Sequence, residues 1–593
     1  MKNILKNKIF WIVLGIVLVG AFLRAYNFED WMHYQLDQAR DYRIVHAAME
    51  YGPGELPLQG PRAAGSFLRL GPLLYYMEYG SALVFGDTPS GSVMIILILN
   101  ILAIPLFYVF LRRFFDWKMA VGLTGIFAVS LFMIVYSRFG WNPTLIPFFM
   151  ILFAYALLKT NDRINKNAGW WLVVAAATLA FIANMHFVAF VTVPVIAVIY
   201  FLWVRPWINF KWWFLAVAVF VFLNIPLIVN DMKTGGENFI EFIDVALNRS
   251  GDEEDTHNIV DKVVRNVGAH TQYYWLILTG DQFAGLPELK GTDIKCEYDC
   301  RRGLVRGVAS FAMIFVGVVG WIWLYRIEED TNKRDFLKLV AVWGVVVFLV
   351  YTPLAYDIAP RFFLLNAPLM FVLLGFVPKA IGTEYKKPGK IIAIVIIFLC
   401  IISNLFFVGR YFNELSQAMT NENFVLDYND RILKEKTRIT FEQMETISKW
   451  MSDEHQKNGY PIFIYAQPEY KRAFWERIDI RNIPRSHIPK DLDPLYRQGN
   501  YFVIVRTQSD QNDFLDKFTK GMDVLEIKNF GTLNVYKLKP REEFITAEKK
   551  VFEPKQRDPK FSKDVQPRYL WRQVFEGCTY NQKTDKCEQG FVK

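Results

Sequence analysis

Apolar runs of about 17 to 25 residues, separated by polar loops, recur along this chain from Ile9 to Gly409. Each is long enough to cross roughly 30 Å of hydrocarbon as a helix, which satisfies its backbone hydrogen bonds internally. About eleven crossings are read, at residues 9 to 26, 92 to 111, 119 to 136, 143 to 158, 169 to 184, 187 to 204, 212 to 230, 304 to 325, 337 to 354, 362 to 378 and 391 to 409. The fold class expected is a polytopic α-helical membrane protein.

Three long stretches interrupt or follow these runs. In residues 27 to 91, the pieces Asp37 to Tyr51 and Leu68 to Phe85 carry apolar residues along one side and read as juxtamembrane helices in the interface. A connector rich in Gly and Pro (Gly52-Pro53-Gly54, Pro57, Gly60-Pro61, Gly65) separates them. Reading Leu68 to Phe85 as a twelfth crossing would reverse the charge pattern downstream and is rejected. Residues 231 to 303 are acidic at Asp252 to Asp255 and aromatic at Tyr273-Tyr274-Trp275, the pattern of a solvated loop with one interfacial helix.

From Tyr411 onward the pattern changes to that of a soluble domain. Thr440 to Gln456 has helical periodicity, with a Thr cap and Gln443 three residues on. Pro461 to Ala466, Tyr501 to Arg506, Val524 to Lys528 and Thr532 to Lys537 read as strands. The division expected is a membrane domain over residues 1 to 410, a small α/β domain over 411 to 540 and a polar tail over 541 to 593. There is no internal repeat.

Composition agrees: 53% of the 593 residues are hydrophobic and 21% charged, too apolar for a string of soluble domains. The net charge of +9 does not mark a nucleic-acid binder, because the basic residues form no single patch. They occupy alternate loops: the N-terminus, Arg112/Arg113/Lys118, Lys159/Arg163/Lys166, Arg205/Lys211, Arg326/Lys333/Arg334/Lys338 and Lys379/Lys386/Lys387/Lys390. The positive-inside rule makes those loops cytoplasmic. The protein is therefore expected in the plasma (inner) membrane, with a cytoplasmic N-terminus and an extracytoplasmic C-terminal domain. No small-x-small cleavage site follows the first run, so it reads as an uncleaved anchor.

Four of the five cysteines, Cys296, Cys300, Cys578 and Cys587, fall in segments placed outside, and Cys400 lies in an apolar run. Three pairings are open to the four; the local pairs 296/300 and 578/587 are the simplest. A metal site is the rival reading, disfavoured because neither pair has zinc-ligand spacing with nearby His.

The candidate chemistry lies just after the first run. On a helix, His33, Asp37 and Asp41 follow at i, i+4 and i+8 and share a face with Arg40 beside them. Glycosyl transfer from a lipid phosphate needs a base for the acceptor's proton and cations for the leaving phosphate; Asp37 suits the first task and arginines the second. A salt-bridged juxtamembrane helix would show the same spacing. Arg138 and Arg361 are nearly the only basic groups in the short outer loops, and each is a phosphate candidate. Trp141 and Asn142 could stack on and hydrogen-bond a sugar, an interfacial Trp belt explaining Trp141 equally well; His186, near Asn184 at an outer turn, reads more readily as a hydrogen-bonded packing histidine, and Tyr356 lies just before Arg361.

Leu36-Asp37-Gln38-Ala39-Arg40-Asp41, the Gly/Pro connector and Phe67-Leu68-Arg69-Leu70-Gly71-Pro72-Leu73-Leu74-Tyr75-Tyr76 resemble the first outer loop of the protein O-mannosyltransferase and lipid A aminoarabinose transferase families, of the glycosyltransferase C (GT-C) type. Tyr136-Ser137-Arg138-Phe139-Gly140-Trp141-Asn142-Pro143, followed by Pro147-Phe148-Phe149, resembles a stretch of bacterial relatives of the mannosyltransferase group. The resemblance spans residues 1 to 410. It implies an inverting transferase using a polyprenyl-phosphate sugar, with Asp37 as base or metal-associated group and Arg40 and Arg69 on the donor phosphate. Two departures, Gln38 after Asp37 and Leu68 before Arg69, weaken the implied divalent cation near Asp37; Asp41 could compensate. The acceptor implied is a protein, lipid or glycan. A transporter or flippase of lipid-linked sugars and a non-catalytic envelope scaffold are the alternatives; the first would need midplane ionisable residues, which the runs lack.

Overall fold

The computed structural model describes residues 8–63, 68–161, 167–248, 258–282, 288–290, 293–295, 300–421, 433, 439–507, 512–552, 569–581 and 586–589. Every apolar run read from the sequence falls on apolar helix. Among the described residues, eight helices are each long and apolar enough to span alone: Lys8–Ala25, Pro89–Leu111, Asn142–Thr160, Ala168–Met185, Phe187–Val204, Gly303–Ile327, Thr331–Leu354 and Lys386–Gln417. Phe210–Leu223 and Ile225–Thr234 pass the same test only as a pair, bent by 61°. Asn224 sits at that bend with Pro226 just beyond it, and a proline cannot continue the hydrogen-bond ladder of the preceding turn.

The run at 119 to 136 is not one helix. It breaks at Ser130 into Trp117–Val129 and Leu131–Tyr136, and the freed polar groups are taken up by neighbouring elements. Ser130 Oγ donates to the Ile277 carbonyl (2.8 Å), Leu131 N–H donates to Asn404 Oδ1 (2.9 Å), and Asn404 Nδ2 donates to the Leu278 carbonyl (2.7 Å). Two of these bonds reach Ile259–Thr279, a 21-residue helix in the stretch expected to be mostly solvated loop. That expectation is corrected: Tyr273, Tyr274, Leu276, Ile277 and Leu278 are buried in the main core. The acidic run before it, Asp252 to Asp255, lies outside the described residues.

Both juxtamembrane helices form, as Leu36–Tyr51 and Leu73–Phe85. The C-terminal region holds a five-stranded sheet in the order Arg485–His487, Ile462–Tyr465, Asn500–Arg506, Leu533–Pro540, Met522–Phe530. The first three strands run parallel and the last two antiparallel. Helix Phe441–Asn458 opens with the Thr440/Gln443 capping box read from the sequence. Arg485–His487 and helix Pro468–Ile480 were not foreseen.

This region is stitched to the first outer stretch. Phe441 N–H donates to the Met32 carbonyl (3.1 Å), Glu442 N–H to the Asp30 carbonyl (3.0 Å), and the Tyr34 hydroxyl to the Glu476 carboxylate. The supposed tail also docks. Leu58 N–H donates to the Tyr569 carbonyl (2.9 Å), Trp571 N–H to the Leu56 carbonyl (3.1 Å), and Arg572 pairs with the buried Glu55 at 2.8 Å. The Gly/Pro connector is thus held by residues more than five hundred positions away.

Candidate active site

Helix Leu36–Tyr51 begins at Gln35, whose backbone N–H is accepted by Gln38 Oε1 at 3.1 Å. His33 therefore precedes the helix and does not share the face of Asp37 and Asp41 as expected; its ring lies 5.0 Å from that of Phe139. Asp37, Arg40 and Asp41 do converge. Arg40 Nη1 donates to Asp37 Oδ1 (2.8 Å), and Nε donates to Asp41 Oδ1 (2.7 Å). The guanidinium expected on the donor phosphate is instead turned to these two carboxylates.

The two carboxylates differ in surroundings. The Asp37 side chain is 36% exposed, that of Asp41 2%. Burial, and then the neighbouring charge of Asp37, push Asp41 up to about 6, against the opposing pull of Arg40 and the Tyr75 hydroxyl. Glu78, on Leu73–Phe85, is also buried, and neither of its oxygens has a hydrogen-bond partner among the described residues. Burial and the charge of Asp41 raise it well above the usual carboxylate range. Neither Tyr75 nor Glu78 had been given a role; Tyr75 was visible only as part of the family-like stretch.

A small cavity lined by Tyr34, Gln38, Asp41, Tyr42, Glu78, Ser92 and Gly140 separates these groups. A Cβ on Gly140 would stand 2.6 Å from Val93 Cγ1 and 2.9 Å from Glu78 Oε1, so glycine is required for the turn to approach. Gln38 Nε2 donates to the Gly140 carbonyl (2.8 Å) and ties the carboxylate helix to the turn 138 to 142.

That turn carries three expected residues, with different outcomes. Arg138 is fully buried and donates to the carbonyls of Arg24 (2.8 Å) and Asn27 (3.1 Å), holding the end of the first helix rather than facing the rim. Trp141 is half-buried and carries the Arg361 guanidinium 5.5 Å from its ring centroid. Asn142 is buried with neither amide atom hydrogen-bonded among the described residues.

Arg361 also lies 5.5 Å from the Phe362 ring, and no carboxylate pairs with it among the described residues. His186 caps the helix Phe187–Val204, its Nδ1 accepting from Val188 N–H (3.3 Å), and packs 4.9 Å from Phe362. Tyr356 carries Arg265 at 4.9 Å, a cation on the buried helix that the sequence reading missed. Arg69 is buried, and its backbone exchanges two hydrogen bonds with the Asn238 side chain (2.8 and 3.1 Å).

The site thus has a carboxylate side (Asp37, Arg40, Asp41, Tyr75, Glu78) and a cationic, aromatic side (Trp141, His186, Tyr356, Arg361), joined by the 138 to 142 turn. Among the described residues no three His, Cys, Asp or Glu side chains converge as a metal site would require, and Arg40 supplies the positive charge between Asp37 and Asp41. These residues do not fit a divalent cation. Cys296 lies outside the described residues, as do the side chains of Cys300, Cys578 and Cys587; the last two belong to the paired strands Cys578–Asn581 and Lys586–Gln589.

Comparison by sequence finds no matching family model and no matching curated protein. Solved structures do match. ArnT from Cupriavidus metallidurans bound to undecaprenyl phosphate is similar over 90% of this chain and 98% of its own, at 12% identity and a TM-score of 0.52. Its apo state matches over 89% and 97%, at 12% identity and a TM-score of 0.51. The archaeal oligosaccharyltransferase AglB from Archaeoglobus fulgidus gives a TM-score of 0.47 at 13% identity, over 81% of this chain and 64% of its own, too slight a likeness to carry weight. The chain has the fold of the GT-C membrane glycosyltransferases. Its architecture is mostly helical, with apolar helices of membrane-spanning length and a small C-terminal sheet region.

Proposed function

We propose that this protein is an inverting glycosyltransferase that moves a sugar from a polyprenyl-phosphate donor to an acceptor hydroxyl at the extracytoplasmic rim of the membrane. The observation that carries this reading is that an accessible carboxylate, Asp37, and a guanidinium with no carboxylate partner among the described residues, Arg361, lie on elements joined through one turn. Asp37 accepts the proton of the acceptor hydroxyl as its oxygen attacks the anomeric carbon. The bond from that carbon to the phosphate oxygen breaks on the opposite side, and the polyprenyl phosphate leaves with the electron pair.

Arg361 and Arg69 are positioned to offset the charge on the departing phosphate. Arg40, clamped by Asp41, orients Asp37. Trp141 offers a sugar a stacking face, and Asn142 offers two unspent hydrogen-bonding groups. The undecaprenyl phosphate bound by ArnT, a protein of this fold, supports a donor of that type.

The test is incubation of the purified protein with a panel of radiolabelled polyprenyl-phosphate sugars and membrane extract. Asp37→Asn should abolish label transfer while leaving thermal unfolding unchanged. Transfer at the wild-type rate by that variant would overturn the assignment.

A further inference from the structure

One cluster of cations plays no part in the proposed chemistry. Helix Pro468–Ile480 packs against the carboxylate helix Leu36–Tyr51, and its outer side gathers cations. Lys471 Nζ and the Arg485 guanidinium lie 4.4 and 4.2 Å from the centroid of one ring, Trp475. Arg43, two residues beyond Asp41, lies within the electrostatic reach of Arg472 and Arg485. Lys490 continues the group from Lys471, and Lys550 extends it past His487.

Two carboxylates fall within the group's reach, and both are engaged: Asp479 is bidentate with Arg485 (3.0 and 2.6 Å), and the buried Glu476 bonds Tyr34. Arg43, Lys471, Arg472 and Lys490 have no ion pair among the described residues. Arg472, His487 and Lys490 are exposed.

Like charges held this close repel, and the ionisation of the group records it. Lys471 is lowered by burial and then by Arg472, Arg485 and Lys490; His487 is lowered by burial and then by Lys471 and Lys550. A fold gains nothing from such crowding in isolation, whereas a polyanion laid across it removes the repulsion and gains the attraction. The place of the patch matters too. Arg43 lies on the same helix as Asp37, so the patch abuts the element that carries the candidate base.

Building on the glycosyltransferase reading, we propose that the Arg43/Lys471/Arg472/Arg485/Lys490 surface is the docking site for an anionic saccharide acceptor, one bearing carboxylate or phosphate groups. Trp475 holds Lys471 and Arg485 in place from beneath, and the exposed Arg472 and Lys490 make the outer contacts. The patch holds the acceptor's charged portion while its free hydroxyl reaches Asp37.

The experiment measures binding, without donor, by the full-length protein in detergent micelles. The probes are a fluorescent oligogalacturonate and its methyl ester, which has the same sugars without the charges. The oligogalacturonate should bind, and binding should weaken as salt rises. Arg472→Glu combined with Lys490→Glu, both at exposed positions, should weaken binding by about tenfold or more, and the ester should not bind. Asp37→Asn should bind like wild type.

Equal binding of the ester, or full binding by the double variant, overturns the proposal. So does binding only to vesicles of phosphatidylcholine with phosphatidylglycerol and not to the saccharide, which makes the patch a membrane contact. Because no transfer is measured, failure here leaves the transferase reading standing, and failure of transfer leaves this result readable.

Discussion

Replacing Asp41 by asparagine isolates the most consequential buried charge in the site. Burial holds its carboxyl up at about 6, from an ordinary value of 3.8. A rise of about 2 units, at about 1.4 kcal/mol each, makes the folded protein roughly 3 kcal/mol more costly to ionise at this position than the unfolded chain. The sign follows from proton counting. Below about pH 4 the group is protonated in both states and the penalty is absent; as pH rises through 6 the unfolded chain has already released the proton, and stability falls. Asp41→Asn has no such proton, so its stability relative to wild type should shift in its favour by roughly 3 kcal/mol between pH 4 and pH 7. Titrations remote from this carboxyl cancel in the difference. The assay is thermal unfolding in detergent micelles followed by tryptophan fluorescence at half-unit steps of pH, with a shift of several degrees expected. Repeating the pair in a Glu78→Gln background removes the neighbouring carboxyl and should preserve the window. A difference that stays flat with pH, or that moves toward wild type as pH rises, would refute the idea that burial governs this carboxyl.

Arg361→Met should raise the donor KM by about tenfold or more, since a charged hydrogen bond is worth about 1.5–3 kcal/mol, yet leave the melting temperature nearly unchanged because no protein carboxylate loses its partner. Arg138→Met should do the reverse, lowering the melting temperature without altering the donor KM, because its guanidinium is committed to the Arg24 and Asn27 carbonyls. Arg572→Ala removes the guanidinium that pairs with the buried Glu55, at a cost of about 3–5 kcal/mol; unfolding should move accordingly, and limited proteolysis should find the 53 to 61 connector newly accessible. Gly71→Ala should reduce folded yield, since its Cβ would stand 1.4 Å from Asn184 Oδ1.

The membrane architecture was legible because a spanning helix must be apolar along its whole length, and that leaves a long, one-dimensional signal. What the pattern could not reveal is where such a helix breaks. Ser130 and Asn224 look like ordinary small polar residues in apolar runs; only their partners across the bundle, Ile277 for one and Asn184 for the other, show the ladder interrupted there. Ile259–Thr279 was missed for the converse reason. Its N-terminal half carries Asp261, Lys262 and Arg265, which hide it in a hydropathy profile, although Tyr273, Tyr274 and Leu276 to Leu278 near its C-terminus are buried. The docking of residues 569 to 577 on the connector is a contact between distant segments, of which local sequence carries no trace.

In the candidate site, the residues that local spacing could reach are those on one helix. Asp37, Arg40 and Asp41 are neighbours by helical geometry, so their meeting needed no tertiary knowledge. The division of labour among them did, because it depends on which side faces Leu73–Phe85. Asp41 faces Tyr75 and Glu78 and is shut from water, which raises its carboxyl, whereas Asp37 at i−4 remains partly exposed. Glu78 shows the same limit: in sequence it is one acidic residue in an amphipathic piece, and only the close approach of Gly140, which leaves no room for a side chain, seals it from solvent. Substituting Ala at position 140 should therefore push the turn away, admit water to Glu78 and lower its proton affinity toward the ordinary carboxylate range. Infrared detection of the protonated carboxyl band would register this as a loss at neutral pH, and a band that persisted in Gly140→Ala would mean that the turn does not control the burial of Glu78.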